Sequence, residues 1–303
     1  PKKRNAKPRK EPSQALRNVA ILGLVSAVAF GALIYYPSTY AASVWPAGAS
    51  EFTEGVKQSP YTLKDGQKVQ LPILYHPDNS VLGLFYLVDH AAAAKVLAAQ
   101  KVDHLLEPWG VLGKVLVLHV TFEYRNTTVG QYGEIGLAIL TKRKGTQPSW
   151  LRFLYDMRLD ENQGLFVVNL PVTTKAAMDA GVGVWGYPKY VTDIDTSFGE
   201  KGHVSILKDE YELNFGTATL PLPTGGIPFV TFTVKDGALI RTVVNVGNKI
   251  TLGGSSTAVF KDLGGHGPTV TSMRTLGIMA MSPIAAFRSD KMTSVLPEGV
   301  KLR

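Results

Sequence analysis

From Val115 to Tyr124 the chain reads VLVLHVTFEY, a run of β-branched and large apolar residues with few polar interruptions. That composition suits a strand better than a helix. Comparable runs recur at Glu134–Thr141 (EIGLAILT), Leu165–Leu170, Thr217–Leu220 and Phe229–Val234, separated by turns with Gly, Asn or Pro. Such spacing predicts a mainly β, α+β domain with an antiparallel sheet that closes into a barrel or stacks as a two-sheet sandwich, its helices few and peripheral. One helix is clear: Asp89 precedes HAAAAKVLAAQ, an N-cap before an Ala-rich segment whose Val96 and Leu97 can pack inward. Near the end, SMRTLGIMAMSPIAAFR predicts a helix broken by Pro283, its methionines serving as core filler.

The pattern before Pro46 is different. Val19–Tyr36 (VAILGLVSAVAFGALIYY) is free of charge and near the minimum length that crosses a hydrocarbon core. Tyr35 and Tyr36 at its end, with Tyr40 and Trp45 after it, form an aromatic belt, and Lys2, Lys3, Arg4, Lys7, Arg9, Lys10 and Arg17 precede it. The expected division is a basic tail over 1–18, a transmembrane anchor over 19–40, a Gly/Ser/Pro/Thr-rich linker over 41–68 and a folded domain over 69–303. The tail is expected on the cytoplasmic or matrix side, and the domain on the translocated side: periplasm, cell exterior or intermembrane space. The competing reading is a cleaved signal with a small-residue site at Thr39-Tyr40-Ala41-Ala42. The apolar stretch exceeds the usual signal h-region, which favours the anchor.

Composition changes this picture little. At 303 residues with 45% hydrophobic content, the chain is long enough for one large domain. The formal charge of +8 comes mostly from the basic tail, where no aromatic residues interleave with the cations, so nucleic acid is not an expected partner. The absence of cysteine excludes disulfides, thiolate metal sites, iron–sulfur clusters and a cysteine nucleophile. The six histidines show no metal-ligand spacing, and Gly253-Gly254 and Gly264-Gly265 lack the ending of a phosphate loop, so neither a metal nor any other cofactor is expected.

The segment AAMDAGVGVWGYPKYVTDID carries more specific chemistry. Gly181, Gly183 and Gly186 suggest a flexible backbone, Trp185 and Tyr187 supply apolar bulk, and Pro188 fixes the chain before Lys189. An amine held in apolar surroundings is disfavoured as ammonium, and the neutral amine is the form that attacks a carbonyl to make a Schiff base. A surface lysine after a proline turn is the alternative that residue physics alone leaves open.

The pieces FYLVDHAAAAKVL, VTFEYRNTTVGQYGEIGLAI and AAMDAGVGVWGYPKY, between about Val81 and Gly216, resemble the acetoacetate decarboxylase superfamily in order and spacing. The resemblance implies an acetoacetate decarboxylase-like barrel or double sheet. It places the Schiff-base lysine of the GYPK-like motif on Lys189 and the acidic residue of the G-x-Y-x-E motif on Glu134, as proton carrier or substrate-orienting group. Acetoacetate decarboxylase is itself a standard example of an amine activated by desolvation or a neighbouring cation.

The chain departs from that pattern in several places. The second lysine of the motif is replaced by Tyr190, the preceding pocket glutamate falls on His119, and the upstream arginine falls on Asn79. The usual Gly-Arg-Glu reads Gly181-Val182-Gly183. These departures point away from acetoacetate as substrate. Lys189, Glu134 and His119 are the expected catalytic groups, with Tyr132, Trp185, Tyr187, Tyr190 and Asn79 around the substrate. Replacing Tyr190 with Lys is expected to promote Schiff-base formation, because a second cation would destabilise the ammonium of Lys189.

Two functions follow from these residues. In the first, Lys189 condenses with a keto acid, and decarboxylation, aldol or dehydration chemistry proceeds with Glu134 or His119 moving protons. In the second, the domain binds a small apolar ligand or serves as an accessory subunit of a membrane complex without catalysis. The environment of Lys189 discriminates: an open apolar pocket favours chemistry, and an amine tied to carboxylates favours the structural role. The expected partners are a small keto acid or apolar ligand, membrane lipid, membrane-complex subunits and further copies of the chain in an oligomer.

Overall fold

The computed structural model describes residues 53–155, 157–158, 160–199, 202–216, 222–253 and 257–303. The expected tail, the anchor over 19–40 and the run Thr217–Leu220 lie outside the described residues. Among those that are described, no helix is long and apolar enough to cross a membrane.

The strands in chain order are β1 (Ser59–Thr62), β2 (Lys68–Leu71), β3 (Ile73–Asp89), β4 (Leu106–Pro108), β5 (Gly110–Val111), β6 (Lys114–Tyr124), β7 (Tyr132–Arg143), β8 (Gln163–Asn169), β9 (Ile194–Gly199), β10 (Gly202–Leu207), β11 (Tyr211–Phe215), β12 (Leu222–Lys235), β13 (Ala238–Gly253), β14 (Ala258–Asp262), β15 (Ala285–Leu296) and β16 (Val300–Lys301). The helices are α1 (His90–Ala99), α2 (Trp150–Tyr155), α3 (Lys175–Trp185) and α4 (Pro268–Leu276). Strands β7, β8, β12, β13, β15, β3 and β6 pair in that order, and β6 pairs back to β7, closing a barrel. Only the β8–β12 step of that ring is parallel. A separate four-stranded antiparallel sheet, in the order β14-β11-β10-β9, covers one side of the barrel.

This second sheet explains why β6 lacks the alternation of a half-exposed strand. Leu118, Val120, Phe122 and Tyr124 face the barrel interior. His119, on the opposite side of the same strand, is buried against Tyr211 of β11 and Phe260 of β14. A strand covered on both faces reads as a nearly continuous apolar run.

Several expectations need correction. The linker assigned to 41–68 contains β1 and the start of β2, which pair as a hairpin, and Leu63 between them belongs to the core. The C-terminal helix begins earlier than expected and ends before Pro283. Gly267 and Pro268 start α4, and Gly277 ends it in the left-handed region at φ 74°, a conformation that glycine adopts without steric penalty. A short 3-10 turn at Ile278–Ala280 follows, and the chain then re-enters the barrel as β15. Asp89 precedes α1 as predicted, but its side chain makes no cap; it accepts from Lys114 at 2.7 Å instead. Gly181 and Gly183 lie inside α3 and are therefore not a flexible stretch.

Burial of two histidines gives the fold a predicted acid sensitivity. Desolvation holds His119 down at about 3 and His203 at about 4, against an ordinary 6.5. The unfolded chain therefore binds more protons below pH 6.5. The corresponding stability is fully present above that pH and is lost as the pH falls toward the folded-state values. At pH 5 the loss is roughly 2 kcal/mol per histidine. Urea midpoints at pH 7 and pH 5 measure it, and a His119→Gln/His203→Gln double variant should show a much shallower decline; an unchanged decline would assign the acid sensitivity to other groups.

Candidate active site

The ends of three segments bring the GYPK and GQYGE motifs together. The Gly133 N–H donates to Thr173 Oγ1, Thr173 N–H to the Gly133 carbonyl, and Ile135 N–H to the Pro171 carbonyl. On the other side of 170–173, Leu170 N–H donates to the Pro188 carbonyl and Val172 N–H to the Tyr190 carbonyl. The segment around Pro188 is therefore stitched through 170–173 to the start of β7. Lys189 and Glu134 face each other as a consequence.

Helix α3 delivers the lysine loop at the right place. Thr174 caps its first turn by accepting from Ala177 N–H at 3.3 Å. Its C-terminus closes with Gly186 at φ 70°, while Lys235 Nζ donates to the Gly183 and Val184 carbonyls at 2.6 and 3.0 Å. A cation at a helix C-terminus is favourable for the exposed carbonyls and the helix dipole. A Cβ on Gly181 would lie 2.5 Å from both Cδ and Cε of Lys189, so the lysine stem runs across the helix where a side chain is missing.

Lys189 Nζ donates to Glu134 Oε2 at 2.5 Å, and the two side chains are only 6% and 7% exposed. The amine also lies 5.4 Å from the centre of the Tyr132 ring. Tyr124 donates to Glu134 Oε1 over a long 3.4 Å, and the Tyr75 and Tyr132 hydroxyls pair at 3.1 Å. Burial, followed by the charge on Glu134, raises Tyr75 well above the ordinary phenol range, and Tyr124 is raised for the same two reasons. Burial pushes Tyr187 up to about 12, its hydroxyl 3.0 Å from Thr231 Oγ1. These phenols stay neutral around the ion pair at physiological pH.

The pair opens onto a cavity of about 100 Å³ inside the barrel, walled mostly by aliphatic side chains from β6, β7, β8, β13 and β15. The amine can reach a carbonyl carbon bound there. The carboxylate beside it can hold or move a proton at the neighbouring atom.

Of the residues expected around the site, Lys189, Glu134 and Tyr187 line the cavity, and Tyr132 stands next to the amine. The others are elsewhere. His119 points out of the barrel, and its Nε2 is 2.6 Å from the Tyr211 hydroxyl. One-residue alternation along β6 puts it on the face opposite Leu118 and Val120.

Tyr190 likewise turns away from Lys189 and donates to Glu210 Oε1 at 3.1 Å, with Thr269 at 2.8 Å. The expected gain from Tyr190→Lys loses its basis, because a lysine there would meet the Glu210 carboxylate and not its neighbour's amine. Glu210 in turn accepts from Val270 N–H at the start of α4.

Asn79 is fully buried and spends its amide on backbone. It donates to the His76 and Asn126 carbonyls and accepts from the N–H groups of Arg125 and Asn126. Trp185 is buried with its indole N–H on the Pro297 carbonyl, outside the cavity wall. Tyr75 and Tyr124 were missed by the sequence reading. The inward alternation of VLVLHVTFEY could have found Tyr124, whereas Tyr75 carries no comparable local signal.

A model of the acetoacetate decarboxylase family matches residues 58–237. Comparison with curated proteins finds no match. Among solved structures, acetoacetate decarboxylase from Legionella pneumophila superposes with a TM-score of 0.51 at 15% identity, covering 77% of this chain and 87% of its own. The enduracididine biosynthesis enzyme MppR, with HEPES bound, gives 0.52 at 15% identity over 84% of this chain and 98% of its own. MppR complexed with pyruvate gives 0.51 at 15% identity, over 82% and 99%.

Proposed function

The chain belongs to the acetoacetate decarboxylase family, and from that premise we propose that it is a Schiff-base enzyme in which the Lys189 amine condenses with a carbonyl compound held in the barrel cavity. The observation that carries this reading is a buried amine that faces an apolar cavity. Condensation of the ammonium with a carbonyl yields an iminium and water. The iminium then withdraws electrons from the adjacent carbon, and Glu134 accepts the proton released there or returns one to it. His119 has no part in this step because it lies behind the barrel wall.

The relatives support family-level chemistry more than any particular substrate. One is an acetoacetate decarboxylase, and another is a biosynthetic enzyme complexed with pyruvate. Incubation with small carbonyl compounds and borohydride, followed by peptide mass analysis, tests the reading. A reduced adduct on Lys189 is expected, and its absence across ketones, aldehydes and keto acids would remove it.

The ion pair itself favours a second reading, a binding domain in which Lys189 and Glu134 only neutralise each other. Ligand binding without any borohydride adduct is the result that would select it. For either function, the charge-free run Val19–Tyr36 supports a membrane-tethered chain. Carbonate-washed membranes should retain it, and recovery of a soluble chain beginning near Ala42 would instead identify a signal peptide.

A further inference from the structure

We infer that the cavity selects an uncharged, largely apolar carbonyl compound, a small ketone or aldehyde, over a keto acid; the inference rests on the Schiff-base reading of Lys189. Among the described residues lining the cavity, Lys189 and Glu134 are the only charged groups, and they already pair with each other. No second cation faces the space among the described residues. Asn79 lies outside the wall with its amide committed to backbone.

The polar hydroxyls on the wall are also engaged with protein. Ser294 donates to the Asn245 carbonyl, Thr231 to the Thr242 carbonyl, and Tyr124 to Glu134. Tyr187 pairs with Thr231 and Tyr75 with Tyr132. Much of the remaining surface is aliphatic, including Leu118, Val120, Leu165, Val167, Val246 and Leu296.

Charge balance then separates the two substrate classes. With a neutral ketone, the ammonium and the carbonyl give an iminium and water, and the site keeps one positive and one negative charge throughout. If Glu134 removes a proton from the carbon next to the iminium, both partners become neutral, as enamine and carboxylic acid. A keto acid adds a carboxylate that has no cation of its own among the described lining residues and shares an apolar, partly open cavity with Glu134. A buried charge without a partner is strongly disfavoured. The cavity, at about 100 Å³, is several times the roughly 10–15 Å³ a water needs and smaller than the roughly 150 Å³ cavity that holds benzene, so the ligand is small.

The experiment uses the intact protein and matched methyl ketones. Hexan-2-one is compared with levulinate, and pentan-2-one with acetoacetate, each incubated with borohydride. The adduct on Lys189 is quantified by peptide mass against adducts on surface lysines in the same digest. The neutral member of each pair should modify Lys189 at least about tenfold more than the acid, as expected if an unpaired buried charge is excluded. A smaller preference, or a preference for the acids, overturns the inference while leaving the Schiff-base reading intact. No Lys189 adduct with any of the four compounds, nor with the small aldehyde butanal, overturns both.

Discussion

Exchanging Lys189 for methionine is expected to reduce borohydride trapping to the level of the surface lysines and to lower the folding free energy by about 3–5 kcal/mol, the usual effect of removing one partner of a buried ion pair. Methionine keeps an unbranched apolar stem of similar reach, so the change isolates the charge from the packing. Glu134 would be left 7% exposed, with a long 3.4 Å contact from the Tyr124 hydroxyl as its remaining side-chain hydrogen bond among the described residues. Glu134→Gln should also destabilise, because the ammonium then loses its counter-charge. The double variant Lys189→Met/Glu134→Gln should recover part of the loss, since no buried charge is left unpaired while the Gln amide still lacks partners. Urea unfolding of the four proteins gives the coupling directly. If the single variants unfold at the wild-type midpoint, the two groups do not form a buried pair in solution.

Gly181→Ala is expected to separate activity from stability. Alanine is favoured over glycine within a helix by about 1 kcal/mol, and this gain offsets part of the strain from the added methyl group. The methyl would stand 2.5 Å from the Cδ and Cε of Lys189, which forces the lysine stem aside. Displacement of the amine by about 1 Å is enough to lower a positioned reaction by about a hundredfold. Trapping at Lys189 should therefore fall steeply, while the urea midpoint shifts by less than in Lys189→Met. Trapping at the wild-type rate would show that the stem has room to move and that the glycine does not position it.

Part of this architecture was legible in single segments. Strands announce themselves by local composition, so the runs at Val115–Tyr124 and Glu134–Thr141 agree with β6 and β7 to within a few residues. The long strands β3 and β13 have no counterpart among the expected strands, and the start of β15 falls in the segment expected as a helix broken by Pro283. Gly83, Gly247 and the polar stretch at Ser289–Lys291 interrupt their patterns, and the register shifts between Gly247 and Thr251 and between Ser289 and Met292 break any fixed period. The glycines of α3 read as a loose backbone because a missing side chain looks the same in sequence whether it frees the chain or admits a neighbour. Only the packed structure shows Lys189 filling the gap at Gly181 and Leu63 the gap at Gly183.

By itself, the sequence determined which residue types carry chemistry here: a lysine held by GYPK and an acid in GQYGE, together with the β character of the chain around them. Direction was decided by the tertiary structure. Successive residues of a strand face opposite ways, so Leu118 lines the cavity while His119 lies behind the wall; in the loop after Pro188, Lys189 enters the barrel while Tyr190 leaves it for Glu210. The Lys189–Glu134 pair joins residues 55 positions apart, and only the pairing of 133–135, 171–173 and 188–192 brings them together. The same closure leaves the cavity wall without a second cation among the described residues, a property of the assembled surface that no single segment contains.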